Sequence, residues 1–213
     1  ARWGTVGAMP AGRPRAFDVD DALDGALDLF WRRGYRATTT RDLEARLGVT
    51  QSSLYQAFGS KSQLLDRAVD RYVALVDRAL LRPLADDPGG IAALDRFFVR
   101  LREWHAEDGR GCLIGRLLCE APPPGPAAPR LEAYRVRLRA AIATALRRAA
   151  DLGEIPGEGV DRRADLLVGT VLGLNLAHQG GLGETHAALV EAVRSELASW
   201  RHGAGEALSE PLG

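Results

Sequence analysis

The sequence has few of the residues that mark secreted, membrane-bound or metal-binding proteins. Only 2 of its 213 residues are cysteine, which is too few for a disulfide framework. No apolar run approaches the roughly 18 residues of a membrane span, and no secretory signal is visible. Neither a metal-ligand spacing nor a glycine-rich phosphate loop occurs, so we predict no metal and no cofactor. A cytoplasmic protein without a membrane partner is expected.

Net charge is also missing, because 28 basic and 28 acidic side chains cancel. This balance is unexpected in a nucleic-acid-binding protein. It is uneven along the chain: residues 1–61 carry 9 basic and 7 acidic side chains, and residues 62–213 carry 19 and 21. Local placement of charge, not the total, determines a phosphate-binding surface. DNA binding is therefore not excluded.

A helix-turn-helix pattern is present between Thr39 and Gly59. Thr39 with Asp42 can form a capping-box-like pair at the start of a first helix, which Gly48 ends with its permissive backbone. Thr50 can cap a second helix, and Gly59 stops it. Two such helices also occur in many all-α proteins, so this pattern alone leaves a purely structural protein open.

The outward face of the second helix carries amide, hydroxyl and small side chains, where a helix built only for solubility would carry Glu and Lys. Amides and hydroxyls can donate and accept at base edges, while Tyr and Lys suit phosphates. We predict base contacts by Gln51, Ser52 and Gln56, and phosphate contacts by Thr40, Tyr55 and Lys61, the only lysine. The predicted DNA-binding residues are Thr39, Thr40, Arg41, Gln51, Ser52, Ser53, Tyr55, Gln56 and Lys61.

Residues 12–65, from the Gly12-Arg13-Pro14-Arg15 arm through Gly34-Tyr35-Arg36 to Leu65, resemble the TetR family of bacterial transcriptional repressors. The remaining chain is similar to the family only in its helical character and length. The resemblance implies a homodimer that binds double-stranded operator DNA and releases it when a small-molecule effector binds. The basic arm either enters a minor groove or is a disordered terminus.

The apolar periodicity predicts an all-α fold with two domains. The resemblance implies that residues 12–62 form a three-helix helix-turn-helix DNA-binding domain, and residues 63–201 a larger effector-binding and dimerisation domain. We expect a first helix capped by Asp18, then a long helix from Ser62 to Leu81 that ends before Pro83 and alone joins the two domains. Further helices are expected at about residues 90–105, 112–120, 130–152, 158–179 and 184–200, with a solvent-facing proline-rich loop at 122–126.

The last two predicted helices have long apolar faces, which exceed what one subunit needs to bury. In the resembled family such a pair forms a four-helix dimer interface, and the alternative is that both are ordinary core helices. The two faces consist of Ala164, Leu167, Val168, Val171, Leu172, Leu174 and Asn175, and of Leu189, Val190, Val193, Leu197 and Trp200.

The resemblance places the effector among the middle helices, in a mostly apolar site of unknown ligand specificity. Each candidate has core packing as its alternative reading, and His178 is expected to cap carbonyls. The predicted effector-binding residues are Phe97, Leu101, Trp104, Cys112, Leu113, Leu117, Tyr134, Leu138 and Asn175.

Cys112 supports an alternative function, because the segment around it is similar to TetR regulators that sense oxidants or electrophiles. Its place at a helix start, near Arg110 and Arg116, predicts a lowered thiol pKa. Two small buried hydrophobes remain the simpler reading of Cys112 and Cys119. An enzyme would have to use His105 with Cys112, but no third orienting group is evident, so no catalytic residue is predicted.

Overall fold

The computed structural model describes residues 17–107, 109–120 and 127–207, and every regular element in these ranges is helical. The predicted all-α class is confirmed. The basic arm at residues 12–15 and the proline-rich stretch at 122–126 lie outside the described residues. The helices are α1 Val19–Arg33, α2 Thr40–Leu47, α3 Gln51–Phe58, α4 Lys61–Val76, α5 Arg82–Asp86, α6 Ile91–Ala106, α7 Leu113–Cys119, α8 Ala127–Asp151, α9 Val160–Gln179 and α10 Gly183–Ala207, with a π-helical segment, Asp77–Leu81, between α4 and α5.

Short polar side chains start the first four helices, as the sequence predicts. The Asp18 carboxylate accepts hydrogen bonds from the first-turn amides of α1. Thr39 and Asp42 form a complete capping box at α2, while Thr50 and Ser60 cap α3 and α4. Each cap satisfies an amide that lacks a helical partner. These starts are local, so the positions of α1 to α4 along the chain are determined before any packing is considered.

The predicted end of the long helix before Pro83 is wrong. Helical backbone continues from α4 through the π-helical segment into α5, which contains Pro83 in its first turn. Proline lacks the amide hydrogen that an α-helix uses, and a single π turn changes the hydrogen-bond pattern locally. Continuous helical backbone therefore extends from Lys61 to Asp86.

The apolar faces predicted for dimerisation are largely buried inside one protomer. Val171 and Val193 are 1% and 7% exposed, because α8 and α6 pack against α9 and α10. Leu172, Leu189 and Trp200 are partly buried against the same core. The core reading is correct for the buried members of these faces, and the four-helix dimer interface between the last two helices of each subunit stays a prediction. No helix in the described ranges is both long and apolar enough to cross a membrane.

Two contacts connect α1 and the turn after it to the short segment around α7. The Trp31 indole donates to the carbonyl of Gly111 at 2.8 Å. The Glu120 carboxylate accepts from the amides of Tyr35 and Arg36 at 2.8 and 2.9 Å. Gly34 has a φ of +83°, and a Cβ there would overlap this carboxylate. The expectation that the long helix alone joins the two domains is therefore wrong.

Candidate DNA interface and effector sites

The outward face of α3 has the side chains predicted to read bases. Gln51, Ser52 and Gln56 are exposed, while Leu54 and Phe58 on the opposite face are 0% and 2% exposed. The buried pair repeats at i and i+4 and fixes the rotation of the helix about its axis. Two amides and a hydroxyl are thereby presented to solvent on one short helix.

Several predicted contact residues also hold the helices in place. Thr39 is committed to the capping box of α2. The hydroxyls of Thr40 and Tyr55 are 3.1 Å apart and join α2 to α3. The hydroxyl of Ser53 accepts from that of Thr50 at 3.0 Å. Arg41 at the start of α2 is exposed, which leaves its guanidinium open to solvent.

Lys61, predicted to contact phosphates from an exposed position, is partly buried against Tyr35. Its ammonium lies 4.2 Å from the centroid of the Tyr35 ring, which is a cation–π distance. Burial lowers its pKa, and the negative charges of Glu120 and Asp42 oppose that shift. The lysine therefore contributes to the contact between α4 and the turn after α1 as well as to the positive charge beside α3.

Glu44 is a functional candidate that the sequence reasoning missed. Its carboxylate accepts from the backbone amide of Gln51, the first residue of α3, at 2.7 Å. A carboxylate is favoured at the positive end of a helix dipole. The sequence feature that could have revealed this cap is an acidic residue in α2, seven positions before the first residue of α3.

The body contains an apolar cavity of about 140 Å³ between α7, α8 and α9. Two predicted effector residues, Tyr134 and Leu138, line it. Burial raises the pKa of the Tyr134 hydroxyl well above its usual value. Glu132 and Arg135, which form an ion pair at the cavity, supply its charged groups. The lining residues are Ile114, Leu118, Ala128, Leu131, Glu132, Tyr134, Arg135, Leu138 and Leu172.

The other predicted effector residues do not line this cavity. Phe97, Leu101, Leu113 and Leu117 are buried in the hydrophobic core. Trp104 stacks on Trp31 with ring centroids 5.9 Å apart, so it belongs to the junction with α1. These side chains lie on the buried faces of α6 and α7, where they pack against the core.

Comparison with known proteins decides the family. The family description "Bacterial regulatory proteins, tetR family" matches residues 22–68. The chain is 31% identical over 156 residues to the HTH-type transcriptional regulator YezE of Bacillus subtilis, covering 70% of this chain and 79% of YezE. The chain belongs to the TetR family.

Two further relatives show that sequence similarity and structural similarity extend over different lengths of the chain. The HTH-type transcriptional repressor ComR of Escherichia coli is 45% identical over 62 residues, which are 29% of this chain and 30% of ComR. A structure of a cysteine mutant of the TetR family regulator CifR with 26-base-pair operator DNA has a TM-score of 0.76 and 26% identity, covering 89% of this chain and all of that one. The high identity to ComR is confined to a short segment, whereas the fold is shared with the CifR mutant over 89% of this chain.

Cys112 in this TetR-family chain does not have the environment of a reactive thiol. It caps α7 as predicted, and its sulfur lies 3.4 Å from both the Gly115 amide and the Tyr72 hydroxyl. Burial raises its pKa, so the predicted lowering is wrong. Desolvation outweighs the helix dipole because Cys112 is only 3% exposed. Cys119 is exposed, and both cysteines are free.

Asn175 lies in a polar site that the sequence analysis did not find. Its side-chain oxygen is 2.8 Å from His105 Nε2, and His105 Nδ1 is 2.9 Å from His186 Nε2. The ring of His178 stacks on His105 with centroids 5.0 Å apart, so His178 does not serve mainly as a carbonyl cap as predicted. We call His105, His178 and His186 the histidine cluster. Its members are 73 and 8 residues apart in sequence, which matches no short ligand motif.

Proposed function

We propose that this TetR-family chain is a homodimeric repressor that binds a palindromic operator and is released from it by a small-molecule effector. The observation that carries the proposal is the exposed amide and hydroxyl face of α3, held by the capped helices around it. Amide side chains can pair bidentately with adenine in the major groove. The operator-bound structure of the CifR mutant, which shares the fold, supports this use of α3.

The DNA-binding part is tested by fluorescence anisotropy with duplex DNA from upstream of the chain's own gene and with random duplex. Gln56→Ala is expected to relax discrimination at one base position by about 1–3 kcal/mol. Arg41→Ala should weaken binding to both duplexes and reduce the salt slope by about one. Arg147→Ala, an exposed change on α8, is the control. Equal losses on both duplexes in Gln56→Ala would contradict base reading by α3.

A different apolar surface supports the dimer. Leu166 and Leu176 are 56% and 59% exposed on α9, and Gly169 and Gly173 lie between them with open space where a Cβ would be. Spacings of three and four residues place all four on one helix face. Small residues allow close approach of a second helix. A two-fold dimer of this kind matches the two half-sites of a palindrome.

Sedimentation of the paired variant Leu166→Arg, Leu176→Arg tests this surface. We expect folded monomers with little operator affinity, because two charges on each subunit would be buried in the interface without partners. Leu152→Arg, at another leucine that is 60% exposed, should remain dimeric. A paired variant that still sediments as a dimer would place the interface elsewhere.

The cavity between α7, α8 and α9 is the proposed effector site. Its lining is mostly apolar, with the Glu132–Arg135 ion pair as the polar element. Such a combination suits a mostly apolar ligand with one polar group. The site also touches α7, whose flanking residues contact the DNA-binding domain through Gly111 and Glu120.

A further inference from the structure

Three of the chain's four histidines meet at one place in the body. His105 is near the end of α6, His178 is near the end of α9, and His186 is in the first turns of α10. One nitrogen from each ring lies within 4.8 Å of the others. His105 and His186 are 1% and 8% exposed. His178 is partly exposed, and burying the other two imidazoles beside it is costly unless something uses their nitrogens.

Asn175 determines which nitrogen of His105 faces the cluster. Its side-chain oxygen can only accept, so His105 Nε2 carries the proton that it receives. His105 Nδ1 is then an unprotonated acceptor directed at His186 Nε2. A hydrogen bond from the far nitrogen is how metal-binding histidines are usually held in orientation.

We propose that His105 Nδ1, His186 Nε2 and a ring nitrogen of His178 bind one divalent transition-metal ion of the zinc type, and that this ion alters DNA affinity. Three neutral imidazoles with an open fourth position form a donor set that suits zinc. On binding, the proton of His186 Nε2 moves to its Nδ1, so the ring stays neutral. The regulatory half of this proposal rests on the proposed function, whereas the metal site does not.

The surroundings of His105 and His186 favour the neutral state that ligation requires. Burial, followed by the neighbouring His178 and His186, lowers the pKa of His105 to about 4. Burial, His178 and Arg102 lower the pKa of His186. A lowered pKa makes the neutral, ligating form of these two rings easier to reach.

The dimensions of the cluster require only a small closure. Tetrahedral zinc with bonds of about 2.0–2.1 Å places its ligand nitrogens roughly 3.3 Å apart. His105 Nδ1 and His186 Nε2 start at 2.9 Å, and all three ligand atoms lie within 4.8 Å of one another. Rotation of the partly exposed His178 ring can provide the remaining approach.

A short path leads from the cluster to the DNA-binding domain. His178 Cδ2 lies 2.7 Å from the point that a Cβ on Gly111 would occupy, so ring and backbone are in close contact. The next residue, Gln179, donates to the carbonyl of Cys112 at 2.5 Å. The carbonyl of Gly111 accepts from Trp31 on α1. Movement of His178 towards a metal therefore acts on the segment that holds α1.

The metal site is tested by titrating the chelator-treated full chain with Zn²⁺ in a calorimeter and with Co²⁺ in a visible spectrometer. We expect one ion per chain and the absorption of tetrahedral Co²⁺. His178→Gln should abolish the Co²⁺ spectrum, and Asn175→Ala should weaken Zn²⁺ binding about 10–100-fold. Circular dichroism verifies that both variants fold. No Zn²⁺ binding by the wild type, or equal binding by His178→Gln, overturns the site.

The regulatory half is tested by measuring operator affinity with and without Zn²⁺. A change of about 5- to 150-fold is expected in the wild type, and little change in His178→Gln. Gln179→Ala should keep its Zn²⁺ affinity but lose most of the effect on DNA. Zn²⁺ binding without any change in operator affinity overturns the regulatory half alone. Absence of operator binding under all conditions contradicts the proposed function and leaves the metal site supported.

Discussion

Two candidate sensing sites lie on different faces of α7, and they differ in almost every chemical respect. The cavity between α7, α8 and α9 is lined by Ile114 and Leu118 from α7 and has one ion pair. The histidine cluster is polar, and its His178 ring lies against Gly111, two residues before α7. An apolar organic ligand and a metal ion would therefore not compete for the same groups.

The difference between the cavity and the histidine cluster shows how one short helix, α7, can respond both to an apolar ligand and to a metal ion. On the cavity side, large side chains leave space that a ligand can fill. On the cluster side, glycine allows another element to approach the backbone: a Cβ on Gly115 would be 3.0 Å from the Gln179 side chain and 3.3 Å from Asn175 Cβ. A change at either site would reach the DNA-binding domain through the same residues, because Gly111 and Glu120 contact it.

The largest effect is expected from Trp31→Ala, which removes the hydrogen bond to Gly111 and leaves the Glu120 contact in place. The indole is 4% exposed, stacks on Trp104 and contacts the edge of Tyr72. Its loss should cost about 3–5 kcal/mol of the free energy of unfolding, measured by urea denaturation. It should also weaken the dependence of DNA affinity on both sites while each still binds its ligand.

Trp31→Phe is the matched control, because it keeps an aromatic ring but loses the hydrogen bond to Gly111. A cost of about 1 kcal/mol is expected from the hydrogen bond alone. If the DNA affinity of Trp31→Ala still responded fully to Zn²⁺ or to a cavity ligand, the signal would travel by another element, such as α4.

A smaller effect is expected from Leu172→Trp, which separates the two sites. Leu172 lines the cavity and is only partly buried, so the larger ring can occupy the empty volume at a cost within about 1–3 kcal/mol. Binding of the apolar fluorophore anilinonaphthalene sulfonate should fall strongly, as measured by its emission. Zn²⁺ binding, measured by calorimetry, should not change.

Val136→Trp is the control for this change, since Val136 is 52% exposed on α8 and does not line the cavity. It should bind the fluorophore as the wild type does. A loss of Zn²⁺ binding in Leu172→Trp would show that the cavity and the histidine cluster are structurally coupled. It would contradict the view that they are separate sites.

The DNA-binding helices were predictable because their causes are local. Thr39, Asp42, Gly48 and Thr50 begin and end α2 and α3 through contacts within a few residues. The outward amides of α3 follow from the buried positions of the same helix. Residues 22–68 are also where the family description matches.

The body was predicted less well because its sites depend on packing between distant segments. The dipole argument for Cys112 was local, and burial by α1, α4 and α9 reversed it. The histidine cluster joins the ends of three helices, so no spacing along the chain reveals it. Val171 and Val193 look like a free apolar face until α6 and α8 are placed over them.

The contact between Trp31 and Gly111 also bears on how such regulators can be recombined. A DNA-binding domain cut from this chain and joined to another body would carry an uncovered indole, and the Tyr35 and Arg36 amides would lose the Glu120 carboxylate. The unit that can be exchanged is therefore not the helix-turn-helix alone. Residues 111–120 belong with it, although they lie far along the chain, and a chimera that respects sequence order must separate them.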